Sequence, residues 1–119
     1  MTQYELGSAR LRLPVSAKYF YGGLSVGTTP VELVAGVTDK QILLWSITIS
    51  ASNGRQWTLE DDTNELWTVA MATDRVTVAN FYPFYIPCTE AESLYIKSNN
   101  TAISVFVNLW YSIANPIDV

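Results

Sequence analysis

The chain has 119 residues, of which 49% are hydrophobic and 15% are charged, with a net charge of −4 and no histidine. This length corresponds to one domain, and the apolar fraction excludes intrinsic disorder because enough surface can be buried to offset the entropy of ordering. The acidic balance argues against direct nucleic-acid binding. The lack of histidine excludes Ser-His-Asp and Cys-His catalytic sites and Cys/His zinc sites.

The beginning of the chain differs from the rest in charge. Residues 1–20 contain three basic residues and one acidic residue, whereas residues 21–119 contain four basic and ten acidic residues. We interpret residues 1–16 as an N-terminal arm or first edge strand. A basic arm on an acidic body can dock onto another copy of the chain or onto an acidic neighbour; the alternative is that the cations gather there by chance.

After the arm, apolar and polar residues alternate with a period of two, which is typical of β-strands. Counting a first strand within the arm, the segments with this pattern are 10–15, 18–24, 30–35, 43–51, 55–60, 65–71, 81–86, 94–97 and 103–111. Gly, Asn, Asp and Pro separate them, and no segment sustains a helical period. Pro83 confines the segment 81–86 to a sheet edge or a bulge.

The segment 43–51 predicts a long half-buried strand. Its apolar odd positions, which we expect to face the core, are Leu43, Trp45, Ile47 and Ile49. Asn53-Gly54 follows, and this dipeptide favours a two-residue hairpin because both residues tolerate positive φ. We therefore expect a return strand paired with the first, with Trp57 and Leu59 facing inward.

About eight or nine short antiparallel strands at this spacing predict an all-β, single-domain β-sandwich over residues 17–119. A jelly-roll-like arrangement suits the strand number and length. An immunoglobulin-like sandwich is the competing layout, but its Cys…Trp…Cys core is missing because Cys88 is the sole cysteine. The single cysteine and the absence of a visible signal peptide or membrane-spanning segment predict a soluble protein made in a reducing cytoplasm.

The segment 103–111 is apolar on one face and also carries Phe106 and Trp110 on the other. Large aromatic side chains are costly to expose, and Trp is enriched at protein interfaces. Two interpretations remain open. Either an arm or loop of the same chain covers this second face, or Phe106 and Trp110 form an oligomer interface.

The residues that could support chemistry point to a non-enzymatic protein. Cys88 follows a proline at a strand end and is expected to be a small core or rim residue. The acidic run Glu60–Glu65 is the best candidate for a cation site, but it lacks the glycine and spacing of a calcium loop, which favours a solvated hairpin tip. We therefore assign no catalytic, cofactor-binding or metal-binding residue.

Aromatic residues allow one further use, because exposed rings can stack on sugars. Trp45 and Trp57 are expected in the core, which leaves Trp67, Tyr82 and Tyr85 as candidates for an exposed platform. A carbohydrate- or receptor-binding module is therefore the alternative function, discriminated by glycan binding with tryptophan quenching. A small hydrolase is a more distant alternative.

Three stretches carry a resemblance to a known class of proteins. They are Thr-Pro-Val-Glu-Leu-Val-Ala-Gly-Val-Thr-Asp-Lys-Gln-Ile-Leu-Leu-Trp-Ser-Ile-Thr-Ile-Ser, then Arg-Gln-Trp-Thr-Leu-Glu-Asp, and finally Ile-Ser-Val-Phe-Val-Asn-Leu-Trp-Tyr. In style, over residues 28–112, the chain resembles small β-sandwich virion proteins of tailed bacteriophages, above all capsid decoration (cement) proteins. No fixed motif carries the likeness, so it assigns no functional residue.

The resemblance implies a homotrimer on the capsid exterior that bridges major capsid protein subunits, after synthesis in the host cytoplasm. The same role in a phage tail or fibre component belongs to the alternative function. Within this expectation, Arg10 and Arg12 are candidates for a capsid-docking arm, because charge complementarity aids encounter and specificity. Phe106 and Trp110 are candidates for the contact between subunits.

Overall fold

Nine β-strands form the regular structure of residues 17–71 and 75–116, which are the residues that the computed structural model describes. The strands are β1 (Lys18–Val26), β2 (Val31–Val34), β3 (Gln41–Ala51), β4 (Gln56–Glu60), β5 (Glu65–Ala70), β6 (Val76–Asn80), β7 (Ile86–Pro87), β8 (Leu94–Ser98) and β9 (Ile103–Ala114). The predicted arm, with Arg10 and Arg12, lies outside the described residues. No helix within them is long and apolar enough to cross a membrane.

The strands form two antiparallel sheets. The first sheet has the order β1-β9-β3-β6, with β7 also paired to β3, and the second has the order β2-β8-β4-β5. The pairs are nested: β1 pairs with β9, β2 with β8, β3 with β6, and β4 with β5. This nesting is the wound double sheet of a jelly roll. The predicted all-β sandwich is therefore confirmed, and the strand order is that of its jelly-roll form.

The core lies between the two sheets and consists of their inward side chains. Trp57 is fully buried at its centre, as predicted, together with Leu59 on the same strand. Strands β8 and β9 contribute alternate residues, as their period-two patterns predict. The fully buried large side chains are Val26, Ile42, Leu44, Ile47, Ile49, Trp57, Leu59, Leu94, Ile96, Val105, Val107 and Leu109. Each stabilises the fold by roughly 1.5–3 kcal/mol relative to exposure.

The hairpin predicted at Asn53-Gly54 is wrong. Strands β3 and β4 lie in different sheets, so the chain crosses from one sheet to the other at this point. Neither Asn53 nor Gly54 adopts the positive φ that a tight type I′ hairpin turn requires. The backbone N–H of Ser52 instead donates to the carbonyl of Ser104 (3.3 Å), which ties the crossing to β9.

The inward positions predicted for β3 are right in its second half and wrong in its first. The pairing of β3 with β9 shifts by one residue between Leu44 and Ser46, which makes a bulge at Trp45. Because the bulge reverses the alternation, Leu44 faces the core, and Leu43 and Trp45 face the outer side of the sheet. Both are nevertheless buried, so the expected burial of Trp45 is confirmed while its predicted direction is wrong. The Trp45 indole N–H donates to the hydroxyl oxygen of Ser112 (2.8 Å) on the outer side of the sheet.

The strand predicted over 81–86 is also wrong for all but its last residue. Residues 81–85 form a loop, because Tyr82 and Tyr85 fold onto the outward ring of Trp45, at centroid distances of 5.5 and 5.2 Å. The edge strand on this side of the sheet is β6, which the sequence pattern did not predict. Its valines face solvent, so the segment does not show the inward apolar alternation of a half-buried strand.

Candidate self-association face

The outer surface of the first sheet is apolar and exposed. The strand register places Tyr19 directly opposite Trp110 and Gly23 opposite Phe106. We call the large outward side chains of β1, β6 and β9 the aromatic face. Its members, with their exposed fractions, are Tyr19 (50%), Tyr21 (60%), Val76 (56%), Val78 (67%), Phe106 (50%) and Trp110 (37%).

The rings of the aromatic face support one another. The centroids of Tyr19 and Trp110 are 4.8 Å apart, and those of Tyr21 and Phe106 are 6.1 Å apart with planes inclined by 19°. Such pairs contribute about 0.5–1.5 kcal/mol each beyond the burial of their area. They also fix the rings before any partner arrives, which reduces the side-chain entropy lost on binding.

The aromatic face has no charge. Its register places only serine, threonine, asparagine and glycine between the large side chains, for example Asn108 beside Tyr21 and Thr48 beside Val78. Among the described residues, no outward position of β1, β3, β6 or β9 holds a charged side chain. A partner can therefore cover this face without desolvating an ion, which is the usual obstacle to burying a protein surface.

Phe106 and Trp110 thus lie where the sequence predicts, on the outer side of a central strand. No described part of the chain covers them, since the loop 81–85 lies over Trp45 instead. The sequence missed the rest of the face. Tyr19 and Tyr21 occupy alternate positions of a predicted strand, and this spacing was the available signal.

The outer surface of the second sheet is charged. The Lys97 ammonium group lies 2.8 Å from a carboxylate oxygen of Glu60 and 3.3 Å from one of Glu65. Hydrogen bonds to these two carboxylates raise the pKa of Lys97. Glu32 lies opposite Tyr95 on the same surface. This face carries the hydrated charges that the aromatic face lacks.

The acidic run Glu60–Glu65 forms a hairpin tip between β4 and β5, as favoured from the sequence, but Asp61 within it is buried and not solvated. The Asp61 carboxylate accepts backbone N–H bonds from Thr63 (2.9 Å), Asn64 (2.7 Å) and Thr89 (2.8 Å). Burial raises the pKa of Asp61, but these hydrogen bonds outweigh it and leave the pKa lowered. Within residues 17–71 and 75–116, no cluster of three or more potential metal ligands occurs.

Cys88 belongs to the core, as expected for a small buried residue. Burial, with the nearby charges of Asp61 and Glu92, raises the pKa of its thiol to about 12. The thiol therefore stays protonated at neutral pH, and a protonated, enclosed thiol is a poor nucleophile.

The aromatic residues predicted to form an exposed platform do not do so. Trp67 faces inward and packs edge-on against Phe81, with centroids 6.0 Å apart. The expectation that it is exposed is wrong, because the register places Trp67 opposite inward-facing Leu59. Tyr82 and Tyr85 are half-buried against Trp45.

Comparison with known proteins finds a likeness among solved structures. No protein-family model matches the chain, and no curated protein matches it. Among solved structures, it is similar to the nucleoplasmin-like N-terminal domain of Drosophila FKBP39, with 13% identity and a TM-score of 0.43 over 91% of this chain and 98% of that domain. A likeness this distant carries no argument about function.

Proposed function

We propose that this chain is a non-enzymatic virion protein that associates with copies of itself through the aromatic face. As an oligomer, a trimer in the form that the sequence resemblance implies, it decorates the exterior of a phage capsid by binding the major capsid protein. The observation that supports this proposal is the uncharged outer sheet surface with six exposed large apolar side chains.

The size of the face supports an interface between proteins. Strands β1, β9, β3 and β6 have 9, 12, 11 and 5 residues. At a strand spacing of about 4.8 Å and a rise of about 3.3 Å per residue, they span an area of roughly 14 by 30 Å, which narrows to a length of about 17 Å at β6. Soluble monomers rarely expose contiguous apolar patches larger than a few hundred Å². Covering the face with another copy removes this apolar surface from water, which is the main driving force of association.

Self-association also suits attachment to a capsid. An oligomer presents the same contact several times, so weak individual contacts combine into durable binding. The basic residues Arg10 and Arg12 of the arm supply charge complementarity that accelerates encounter. The charged outer face of the second sheet stays hydrated on the assembled particle.

Capsid binding tests the proposal directly. Purified protein is added to phage capsids that lack it, and bound copies are counted after the capsids are sedimented. We expect saturable binding by the intact oligomer and none by the variant that lacks residues 1–12, which should remain a folded oligomer. Arg10→Ala with Arg12→Ala should slow binding, most clearly at low salt.

Two results would contradict parts of this proposal. Absence of binding by an intact oligomer at saturating concentration rules out decoration of that capsid. Full occupancy by the variant without residues 1–12 removes the arm from the account. Binding to glycans with quenching of tryptophan fluorescence would instead support a carbohydrate-binding module.

A further inference from the structure

The loop 81–85 holds a phenylalanine out into solvent. Phe84 is 77% exposed, more than any other large hydrophobic residue that the structure describes. The segment 81–87 contains no charged residue. Exposing the apolar surface of such a loop to water is unfavourable. Aromatic side chains that project from a surface often serve as anchors in protein interfaces.

The loop is fixed on both sides of its tip. Tyr82 and Tyr85 pack on the Trp45 ring, the backbone N–H of Tyr82 donates to the side-chain oxygen of Asn80 (3.2 Å), and that of Phe84 donates to the carbonyl of Phe81 (2.7 Å). Phe84 is therefore presented by a structured loop. A preorganised anchor loses little conformational entropy when a partner covers it.

An uncharged depression that could accept an aromatic ring lies elsewhere on the outer side of the first sheet. A shallow depression of about 300 Å³ opens over β1 and β9, beside the ring of Phe106, which lies across Gly23 and forms one wall. Its lining residues are Gly23, Leu24, Ser25, Ser104, Val105 and Phe106. None of them is charged, so an aromatic ring can enter the depression without desolvating an ion.

The loop and the depression of one molecule cannot meet. The loop follows Asn80, whose partner on β3 is Ser46, whereas Ser104 in the depression lies beyond Phe106, the partner of Ser50. At a rise of about 3.3 Å per residue and a strand spacing of about 4.8 Å, the two features lie about 20 Å apart. Any Phe84 that fills the depression must come from another molecule.

We propose that Phe84 of one copy inserts into the depression beside Phe106 of a neighbouring copy. This contact rests on the proposed function, because it names the pair of surfaces through which the oligomer forms. It uses the aromatic face as receptor and the loop 81–85 as the complementary anchor. One contact of this kind joins each copy to the next.

Crosslinking between two single-cysteine variants tests the contact. Phe84→Cys protein is mixed with Ser25→Cys protein at a concentration high enough that Phe84→Ala still associates, because the cysteine variant also lacks the ring. The mixture is then treated with a short bis-maleimide linker, which tolerates an offset of a few ångströms. Native Cys88 contributes little background because it is buried and its pKa is raised to about 12. The matched control replaces Ser25→Cys by Ala70→Cys, an exposed position on the second sheet.

We expect the Phe84→Cys and Ser25→Cys mixture to give about tenfold more crosslinked dimer than the control mixture, because residues in contact have a high effective concentration. We also expect Phe84→Ala to weaken self-association by about tenfold or more while its thermal unfolding stays close to that of the parent. Retained folding is expected because the ring contributes little to the core.

Two outcomes would exclude the Phe84 contact alone, and a third would also exclude self-association. An intact oligomer that shows no crosslinking above the Ala70→Cys control excludes the Phe84 contact but leaves self-association in place. Crosslinking of Phe84→Cys only with itself also excludes it. A protein that stays monomeric at every concentration contradicts both proposals.

Discussion

The two outer faces of this sandwich are built on the same backbone plan but differ in what they present to solvent. On the second sheet, Lys97 lies between the carboxylates of Glu60 and Glu65. On the first sheet, the equivalent outward positions hold paired rings, such as Tyr19 with Trp110. The inward residues of each sheet form the core, so the outward residues can differ between the two sheets without changing it.

The comparison shows where the stability of each face comes from. The charged groups of the second sheet are satisfied within one molecule, because they pair with one another and are hydrated. The aromatic face gains from ring pairs within the molecule but leaves large apolar areas uncovered. In the proposed oligomer, a second copy supplies the rest of its stabilisation, so we expect changes on the two faces to affect different measurements.

The largest expected effect comes from a charge placed in the aromatic face. Val78→Asp should reduce self-association by roughly 100-fold or more, because the new carboxylate would be buried without a partner. Thr68→Asp on the exposed surface of the second sheet is the matched control and should leave association unchanged. Sedimentation velocity measures both, and an unchanged mass for Val78→Asp would exclude the aromatic face as the contact.

A smaller effect is expected when a ring is removed. Trp110→Ala should weaken association by about 1.5–3 kcal/mol, the value of burying one large side chain, with a lesser effect on the melting temperature. Tyr95→Ala on the charged face is the control. An oligomer of unchanged mass with a lowered melting temperature would show that Trp110 serves only the fold of its own subunit.

On the second sheet, we expect effects on stability rather than on association. Asp61→Asn should lower the free energy of unfolding by about 1–3 kcal/mol, because its carboxylate accepts three backbone hydrogen bonds that a neutral amide accepts less strongly. Urea unfolding at neutral pH measures the change. A stability equal to the parent's would mean that the hairpin tip does not depend on this charge.

The same carboxylate predicts a pH dependence. The pKa of Asp61 is lower in the folded state than its ordinary value of 3.8, so the unfolded state binds the proton more readily. This contribution to stability is present above that value and is lost as the pH falls through the folded-state pKa. As the pH is lowered from 7 into the acid range, the free energy of unfolding should fall less steeply for Asp61→Asn than for the parent. An equal fall in both proteins would contradict the lowered pKa of Asp61.

The smallest effect is expected at Lys97. Lys97 and Glu60 are half-buried at the surface and Glu65 is exposed. Ion pairs in such surface positions contribute little because water and salt screen them. Lys97→Met should leave association unchanged and alter thermal stability little, with the difference shrinking further at high salt. A large destabilisation that persists in high salt would show that the charged face is more tightly coupled to the core than the account holds.

The sequence predicted the fold well wherever its alternation was regular. Trp57 and Leu59 on β4, and the inward residues of β9, follow a strict period of two because each strand has one face against the core. The prediction failed at Trp45, since a bulge inserts one residue without a local signal. It also failed at Asn53-Gly54, because sequence alone does not show whether two adjacent strands share a sheet.

The candidate site was only partly predictable for a related reason. Phe106 and Trp110 stood out because their strand is apolar on both faces. Tyr19 and Tyr21 did not, because tyrosine is common at half-exposed positions. Phe84 appeared within a segment predicted to be an edge strand, and its exposure follows from the packing of its neighbours on Trp45, which depends on the bulge in β3.

The mass of the native protein in solution shows whether the aromatic face binds a second copy. Sedimentation equilibrium over a range of concentrations should give an integral multiple of the 13.3 kDa chain, three for the proposed trimer, and Val78→Asp should reduce it to a single chain. A parent protein that sediments as one 13.3 kDa chain at every concentration would contradict the account, because the aromatic face would then need no second copy.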